Sequence, residues 1–503
     1  MVEPVNARAE AGALPATGGE IASSSPVHGL RCRCDGCRIS MHVADSPKPS
    51  VCPYCHATMV VTPYALPPAA AAAPDRDGDV AAKLRRLYAR PRHWMMVALF
   101  LLGTGLLAAA VYFQVSNFES YWYAPLVNLY SLIAGIFIVS RFLLAAFYHA
   151  PLDRGFEPTV TVIVPCRNEQ AAIGRTIDHI YAEGYPIRKK EVVVVNDGST
   201  DQTLAEMLKA QARHQTLVIV DFETNRGLCH GMAVATLMAR GEFLIFVDSD
   251  TFLFPGAIRK VVQGFVDPMV GGIAGHTDVE NANKNLLTKM QDVRYFFSYK
   301  IMKAAESVFG AVSCLPGCFS AYRRVCVMHV LDRWLNSKFM GVYGDFGDDR
   351  SMTNFIFKDY RILYDDEALA TTLAPENWGQ YIRQQARWNR SYVREVFVAG
   401  RFMWRKHPVP ALSWYAMMIM PILEPVVILS AMVIAPIQSG TMTPSYVIGV
   451  LAITLVWSLH FLQHTGRKHW WTGFLFTITY TLFFSWQAYY ALLTMRRTKW
   501  GTR

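Results

Sequence analysis

The chain has 503 residues, too many for one ordinary domain, and at 52% hydrophobic and 13% aromatic it is too apolar for a typical soluble protein. A formal net charge of +10 would suit a nucleic-acid reader, but many of the basic residues sit beside apolar tracts, which points instead to an anionic membrane face and a phosphorylated substrate. Five of the ten cysteines (Cys32, Cys34, Cys37, Cys52 and Cys55) fall within 24 positions, which speaks for a metal site in a reducing compartment and against a disulfide framework.

No internal repeat at solenoid or propeller periods is visible, and the first thirty residues lack the charged-then-apolar pattern of a secretory signal. Residues 1–29, rich in Ala, Gly, Pro and Ser, are expected to be disordered. Residues 30–62 carry Cys34-Asp-Gly-Cys37 and, after 14 residues, Cys52-Pro-Tyr-Cys55. Two such knuckles place four thiolates tetrahedrally around Zn²⁺, and the metal holds together a module too small for its own core. The pattern resembles a zinc ribbon, with Cys32 as a spare or alternative ligand and Met59, Val60 and Val61 available for a short strand. Recruitment of a protein partner or self-association is a role open to it. Residues 63–82 read as a linker.

Lys83, Arg85, Arg86, Arg90 and Arg92 precede Trp94–Val115, an apolar tract of about the ~20 residues a bilayer span needs, and Tyr121–Tyr148 is a second. Residues 93–148 are therefore expected to hold two transmembrane helices. Their connection, Ser116 to Ser120, has no Lys or Arg while both outer flanks are basic, so it faces outside and residues 150–407 are cytosolic.

That block alternates strands and helices. Thr159–Pro165 and Glu191–Val195 are β-branched runs, Thr216–Asp221 is weaker, and Gly241–Asp250 is an apolar run that ends in two carboxylates. The fold class expected is α/β, a doubly wound and mostly parallel sheet with helices on both faces, inserted between membrane helices. Ligands gather at the carboxyl ends of such strands. Asp248 and Asp250, one residue apart, suit a divalent hard cation, Mg²⁺ or Mn²⁺, carrying phosphate oxygens. A polar turn at a strand end accounts for the same residues without a ligand.

Farther on, Gln384, Arg387 and Trp388 stand at i, i+3 and i+4 and share one face of a helix. After His407 come three more apolar tracts, Val409–Ile437, Tyr446–His464 and Trp470–Met495. Three full spans would leave the basic tail Arg496–Arg503 outside, against the positive-inside rule. The last tract, interrupted by Ser485, Gln487, Tyr489 and Tyr490, is therefore expected to lie at the interface or re-enter. Residues 408–503 then hold two spans plus that tract, and both termini are cytosolic.

The motifs Val164-Pro-Cys-Arg-Asn-Glu169, Asn196-Asp-Gly-Ser199, Asp248-Ser-Asp250, Gly310–Gly317 with Tyr322-Arg323, Gly347-Asp-Asp-Arg350 and Gln384-Gln-Ala-Arg-Trp388 occur in this order between the membrane tracts. Together they resemble a membrane-embedded, processive family-two glycosyltransferase. Residues from about 93 to 503 are most similar to the hyaluronan synthases, with chitin, cellulose and nodulation chitooligosaccharide synthases as near relatives, and the terminal Trp500-Gly-Thr-Arg503 also looks like a hyaluronan synthase tail.

The resemblance implies an inverting transfer from a UDP-sugar to a growing β-linked, GlcNAc-containing polysaccharide, secreted through a channel formed by the enzyme's own spans in the plasma (inner) membrane. It implies that Pro165, Arg167, Glu169 and Asp197 hold the uridine, that Asp248 lies against the nucleotide and that Asp250 binds the Mg²⁺ or Mn²⁺. Asp349 would be the general base, taking the acceptor hydroxyl's proton, with Asp348 raising its pKa and Arg350 opposing that. Acidic residues are also ordinary at a helix N-terminus. Gln384 and Arg387 would complete the donor site, Arg387 gripping the pyrophosphate through paired donors. Trp388 would offer the acceptor sugar a flat apolar face, although Arg and Trp are equally ordinary interface anchors. Cys314 and Gly317 would lie at the acceptor end, and Cys314 is read as packing or positioning because an inverting transfer needs no covalent intermediate.

Two departures stand out. Family members carry a Lys soon after the Asn-x-Gly turn, whereas here Asn225-Arg226-Gly227 runs into Leu228 and Cys229, so that cation is missing or replaced by Arg226, with Arg503 of the tail a second substitute. The cysteine ribbon is the other. Rival readings are a non-processive transferase loading one sugar onto a polyprenyl phosphate, which Gln384–Trp388 opposes, and a nucleotide-binding sensor or channel, which Asp250 and Asp349 oppose. Arg31, Arg33 and Arg38 are too thin a footprint for nucleic acid.

Overall fold

A computed structural model describes residues 28–44, 51–66, 97–98, 101–105, 108–109, 112, 125–343, 348–439 and 444–496. Most of the segment expected to be disordered, most of the linker and of the first apolar tract, Gly347, and the tail Trp500–Arg503 lie outside the described residues.

The chain opens with β1 (His28–Cys34), β2 (Ile39–Val43) and β3 (Val60–Ala65), followed by helix α1 (Pro125–Ala146). The central part of the chain then runs β4 (Val160–Cys166), α2 (Ile173–Ala182), β5 (Lys190–Asp197), α3 (Thr203–Arg213), β6 (Leu217–Phe222), α4 (Leu228–Met238) and β7 (Phe243–Val247). It continues through β8 (Thr251–Leu253), α5 (Ala257–Val262), β9 (Val270–Val279), α6 (Leu286–Phe297), β10 (Phe319–Arg323), α7 (Arg324–Leu335), the short hairpin β11 (Lys338–Phe339) and β12 (Val342–Tyr343), α8 (Asp348–Phe357), β13 (Arg361–Thr372) and α9 (Trp378–Met403).

Strands β4, β5, β6 and β7 form because their β-branched runs are buried on both faces, as parallel strands between two helical layers must be. Side chains alternate between the layers. Val192 and Val194 of β5 pack with α2, α3 and α5, while Val193 and Val195 pack with α4 and α7. Each such valine contributes roughly 1.5–3 kcal/mol by its burial. The sheet order is β3-β1-β2-β6-β5-β4-β7-β10-β9-β13-β8. The expected parallel arrangement holds for β6-β5-β4-β7 and for β9 with β13, while β10 runs antiparallel between β7 and β9, so the whole sheet is mixed. The chain reverses direction across β4, leaving a crevice between the carboxyl ends of β4 and β7, where doubly wound sheets bind ligands.

The ribbon is not a separate bead. Its strand β2 pairs antiparallel with β6, Ile39 opposite Phe222 and Met41 opposite Val220, so the three N-terminal strands extend the central sheet. This covers an otherwise unpaired edge.

Three helical stretches among the described residues are long and apolar enough to cross a membrane: Val127–Ala146, Pro408–Gln438 and Tyr446–Thr465. They belong to α1, to α10 (Pro408–Leu429) with its helical continuation, and to α11 (Pro444–Thr465). Leu129, Ile133 and Ile136 of α1 and Ile422, Val426, Leu429 and Val433 along α10 are exposed apolar stripes, the inverse of a soluble helix. The last apolar tract is broken into α12 (Thr472–Thr479), a π-helical turn over Tyr480–Phe484 and α13 (Gln487–Leu493). The break falls where the buried Ser485 turns its hydroxyl back to the Thr481 carbonyl at 2.9 Å.

The C-terminal apolar helices are locked to the sheet domain by a buried ion cluster. Arg467, just after α11, donates to Asp292 at 2.5 Å and Asp278 at 3.2 Å, and His469 meets Asp292 at 2.7 Å. Arg467→Met leaves two buried carboxylates without that cation and is expected to destabilise the fold by about 3–5 kcal/mol. Thermal unfolding in detergent checks this; an unshifted melting temperature would refute the lock.

A second stability prediction concerns Asp365, buried at an irregularity of β13. Burial pushes its carboxyl up to about 8. The folded chain therefore keeps a proton that an unfolded carboxylate of pKa about 3.9 releases. This contribution is complete below about pH 4 and is lost as pH rises through about 8. Asp365→Asn should flatten the fall in melting temperature across that window; a slope equal to that of the unsubstituted chain would contradict the assignment.

Candidate active site

The crevice at the carboxyl ends of the central strands opens into a cleft of about 760 Å³. Leaving β4, the chain lines it with Pro165, Arg167 and Glu169. The intervening Asn168 adopts a positive φ of 55° and ties this loop to the one after β5: its amide donates to Ser199 Oγ at 3.0 Å and its Oδ1 accepts from the Thr200 amide at 2.8 Å. Asp197, at the end of β5, accepts the Arg226 amide at 2.7 Å on one oxygen and the Gly227 amide at 3.1 Å on the other. Burial nevertheless holds its carboxyl above the ordinary range. The next residue, Gly198, has φ 61°, and a Cβ there would stand 2.5 Å from the Asn225 amide nitrogen. The loops after β5 and β6 are thus packed backbone to backbone.

Asp248 and Asp250 follow β7 and both line the cleft. Gly317 presses so closely that a Cβ would lie 2.9 Å from Asp248 Oδ1, and Thr372 donates to Asp250 Oδ1 at 3.2 Å. Two carboxylates opening on a cleft that also contains Arg167, Lys303 and Arg387 suit a hard divalent cation that takes its remaining ligands from phosphate and water.

Asp349, which also lines the cleft, sits in the first turn of α8 and accepts its neighbour Arg350's amide at 2.7 Å. Cys314 Sγ lies 3.8 Å from Asp349 Oδ2. Burial, and then the Asp349 charge, push the Cys314 thiol up to about 11, so it stays neutral. Thr353 joins the two elements, accepting the Leu315 amide at 3.0 Å and donating to the Asp349 carbonyl at 2.7 Å. Asp348 begins α8, and its side chain lies outside the described residues. Gln384, Arg387 and Trp388 all face the cleft from α9.

Two cations in the cleft were not anticipated. Arg294 on α6 donates to Gln385 Oε1 at 2.8 Å and lies 5.6 Å from the Trp388 ring centroid, and Lys303, on the π-helical continuation of α6, donates to the Cys314 carbonyl. Their signal was the polar and aromatic succession Arg294, Tyr295, Ser298, Tyr299 at helical spacing, all on the cleft wall. Arg226, offered as a substitute for the missing Lys, does not serve as one. Its guanidinium turns away to the Cys37 carbonyl and lies over the Phe222 ring at 5.5 Å.

That carbonyl belongs to the ribbon, where the ligand atoms of Cys34, Cys37, Cys52 and Cys55 all lie within 4.8 Å of one another. Sulfur–sulfur separations of 3.3 Å (Cys34 to Cys55) and 3.4 Å (Cys37 to Cys52) are close to what one tetrahedral metal requires. Cys32 is outside this group and packs in the hydrophobic core shared with β6.

Residues 158–391 match the family model described as glycosyltransferase like family 2, and this span contains every cleft residue named above. It is a family-two glycosyltransferase domain. The glycosyltransferase is 27% identical to hyaluronan synthase of Streptococcus pyogenes over 386 residues, which are 75% of this chain and 91% of that one. It is 33% identical to an N-acetylglucosaminyltransferase of Bradyrhizobium diazoefficiens over 249 residues, 49% of this chain and 51% of that one. Among solved structures, a mannosyltransferase from Pyrobaculum calidifontis in complex with GDP-Man and Mn²⁺ shares the fold, with a TM-score of 0.50 at 22% identity over 71% of this chain and 99% of that one.

Proposed function

We propose that this glycosyltransferase is a membrane-embedded, processive synthase that moves sugar from a UDP-sugar, with inversion, onto a growing β-linked, GlcNAc-containing polysaccharide. The observation that carries this reading is that two cavities adjoin and share part of their walls. An apolar cavity of about 610 Å³ among α1, α10, α11 and the last tract shares Arg294, Ser298 and Tyr392 with the catalytic cleft. A polymer end held on Trp388 would pass these three shared residues on its way from the cleft toward the apolar helices. A transferase that releases its product after one sugar has no use for such a path.

In this reading Asp197, Pro165, Arg167 and Glu169 hold the uridine, Asp248 lies against the nucleotide, and Asp250 would hold the Mg²⁺ or Mn²⁺ that supplies charge stabilisation for the departing UDP pyrophosphate. Gln384, Arg387 and Lys303 bring further donors to the phosphates. Asp349 takes the proton from the acceptor hydroxyl as that oxygen attacks the anomeric carbon, with Cys314 and Gly317 shaping the acceptor end. Catalytic domain and both termini lie on the cytosolic side. Support for that topology comes from the last tract: its first helical piece, Thr472–Phe484, is only about 20 Å long at 1.5 Å per residue, and Asn389 of α9 donates to Gln487 of α13 at 2.9 Å, which lays that end along the catalytic domain. Purified protein given each radiolabelled UDP-sugar, singly and in pairs, followed by digestion with linkage-specific hydrolases, identifies the polymer; no incorporation of N-acetylglucosamine under any pairing would sink this reading.

The four-cysteine cluster is read as a structural Zn²⁺ site. Elemental analysis of the full chain should find about one zinc per chain, lost when Cys52 and Cys55 are both changed to Ser. A zinc-free chain would exclude it.

A further inference from the structure

We propose that the ribbon is a zinc-dependent clasp on the donor site, with Arg226 as the positioning residue that joins them. This rests on the zinc reading and on the donor reading above. Arg226 is tied at both ends of its structure. Its backbone amide, with that of Gly227, donates to the Asp197 carboxylate inside the cleft, at 2.7 Å and 3.1 Å. Its guanidinium donates to the carbonyl of Cys37, one of the four clustered cysteines. The carbonyl oxygen of a metal-ligating residue is held in place by the metal, so the loop carrying Asn225 and Gly227, both on the cleft wall, is anchored from behind by the knuckle.

Other contacts make the attachment rigid. Arg33 of β1 meets Glu223, which directly follows β6, at 2.8 Å. At the opposite end of β6 the buried Gln211 donates to the carbonyls of His42 at 2.9 Å and Leu217 at 2.7 Å, and it accepts from the Tyr64 hydroxyl. Ribbon and catalytic sheet also share one hydrophobic core through Ile39, Met41, Val220 and Phe222. A ribbon meant to recruit a distant partner needs none of this. One that braces the loop opposite Asp197 needs all of it. It also explains why Arg226 points away from the cleft: its charge is used to hold the loop, and the cleft has cations from Arg167, Arg294, Lys303 and Arg387 instead.

The test uses the purified full chain, with zinc per chain, UDP affinity in excess Mg²⁺ and turnover measured separately. Arg226→Ala should keep its zinc, bind UDP about tenfold more weakly, as expected for loss of one hydrogen bond to a charged group, and keep its turnover number within about twofold. Arg226→Lys, which retains a donor, should recover part of the affinity. Removing zinc from the unsubstituted chain with a zinc-selective chelator should weaken UDP binding similarly, and zinc should reverse it. If zinc is present but neither Arg226→Ala nor its removal changes UDP affinity, the clasp is refuted and the zinc site stands. A chain that holds no zinc refutes the metal reading and this proposal with it, and a chain that does not bind UDP refutes the donor reading first.

Discussion

Asp349→Asn is expected to lower the turnover number by about 10²–10⁴-fold while UDP affinity stays within about twofold. The substitution keeps size and shape at the first turn of α8, and the bond from the Arg350 amide at 2.7 Å can still be accepted by the amide oxygen. What is lost is a basic oxygen facing the cleft, 3.8 Å from a Cys314 thiol that cannot replace it, because that thiol is itself pushed up to about 11. The companion variant Cys314→Ser should keep most of the activity, since a neutral positioning group is replaced by another. Equal losses in both variants would move the chemistry from the carboxylate to the thiol, and an active Asp349→Asn would end the base assignment.

The second large effect is expected at Asp250. Asp250→Ala removes one of two carboxylates at the end of β7 and leaves Thr372 without the acceptor it now has at 3.2 Å. Loss of an electrostatic stabiliser of this kind lowers turnover by about 10²–10³-fold. Unlike Asp349→Asn, it should also weaken UDP binding, and only when Mn²⁺ or Mg²⁺ is present. Titrating Mn²⁺ against both proteins separates the roles: the same metal dependence in variant and unsubstituted chain would remove Asp250 from the metal site.

Local chemistry made much of this legible in the sequence. The β-branched runs of β4 and β5 and the apolar run before Asp248 sit on strands because only paired, doubly buried backbone satisfies them. The paired cysteine knuckles and the stripe Gln384, Arg387, Trp388 carry their geometry in their spacing. What escaped is non-local. Pairing of β2 with β6 joins residues about 180 positions apart, and no periodicity in either strand specifies the other. The antiparallel β10 in the middle of the sheet escaped for the same reason. Arg226 shows the limit most clearly: charge and position fitted a phosphate contact, but the direction of its side chain was decided by the Cys37 carbonyl of a segment 189 residues earlier. Arg294 and Lys303 were missed because they lie on a helix between motifs, where they read as an ordinary basic and aromatic face.

In the proposed reading the cleft and the adjoining cavity among the apolar helices form one path along which a chain grows. Product length at low conversion tests it: purified enzyme is given a large excess of radiolabelled donor, quenched after many turnovers per enzyme but while only a small fraction of the donor is consumed, and the products are separated by size. A processive synthase yields long chains, about one per active enzyme, with no accumulation of short ones. A ladder in which every acceptor has gained a single sugar, or label found only on a lipid phosphate, would contradict the account.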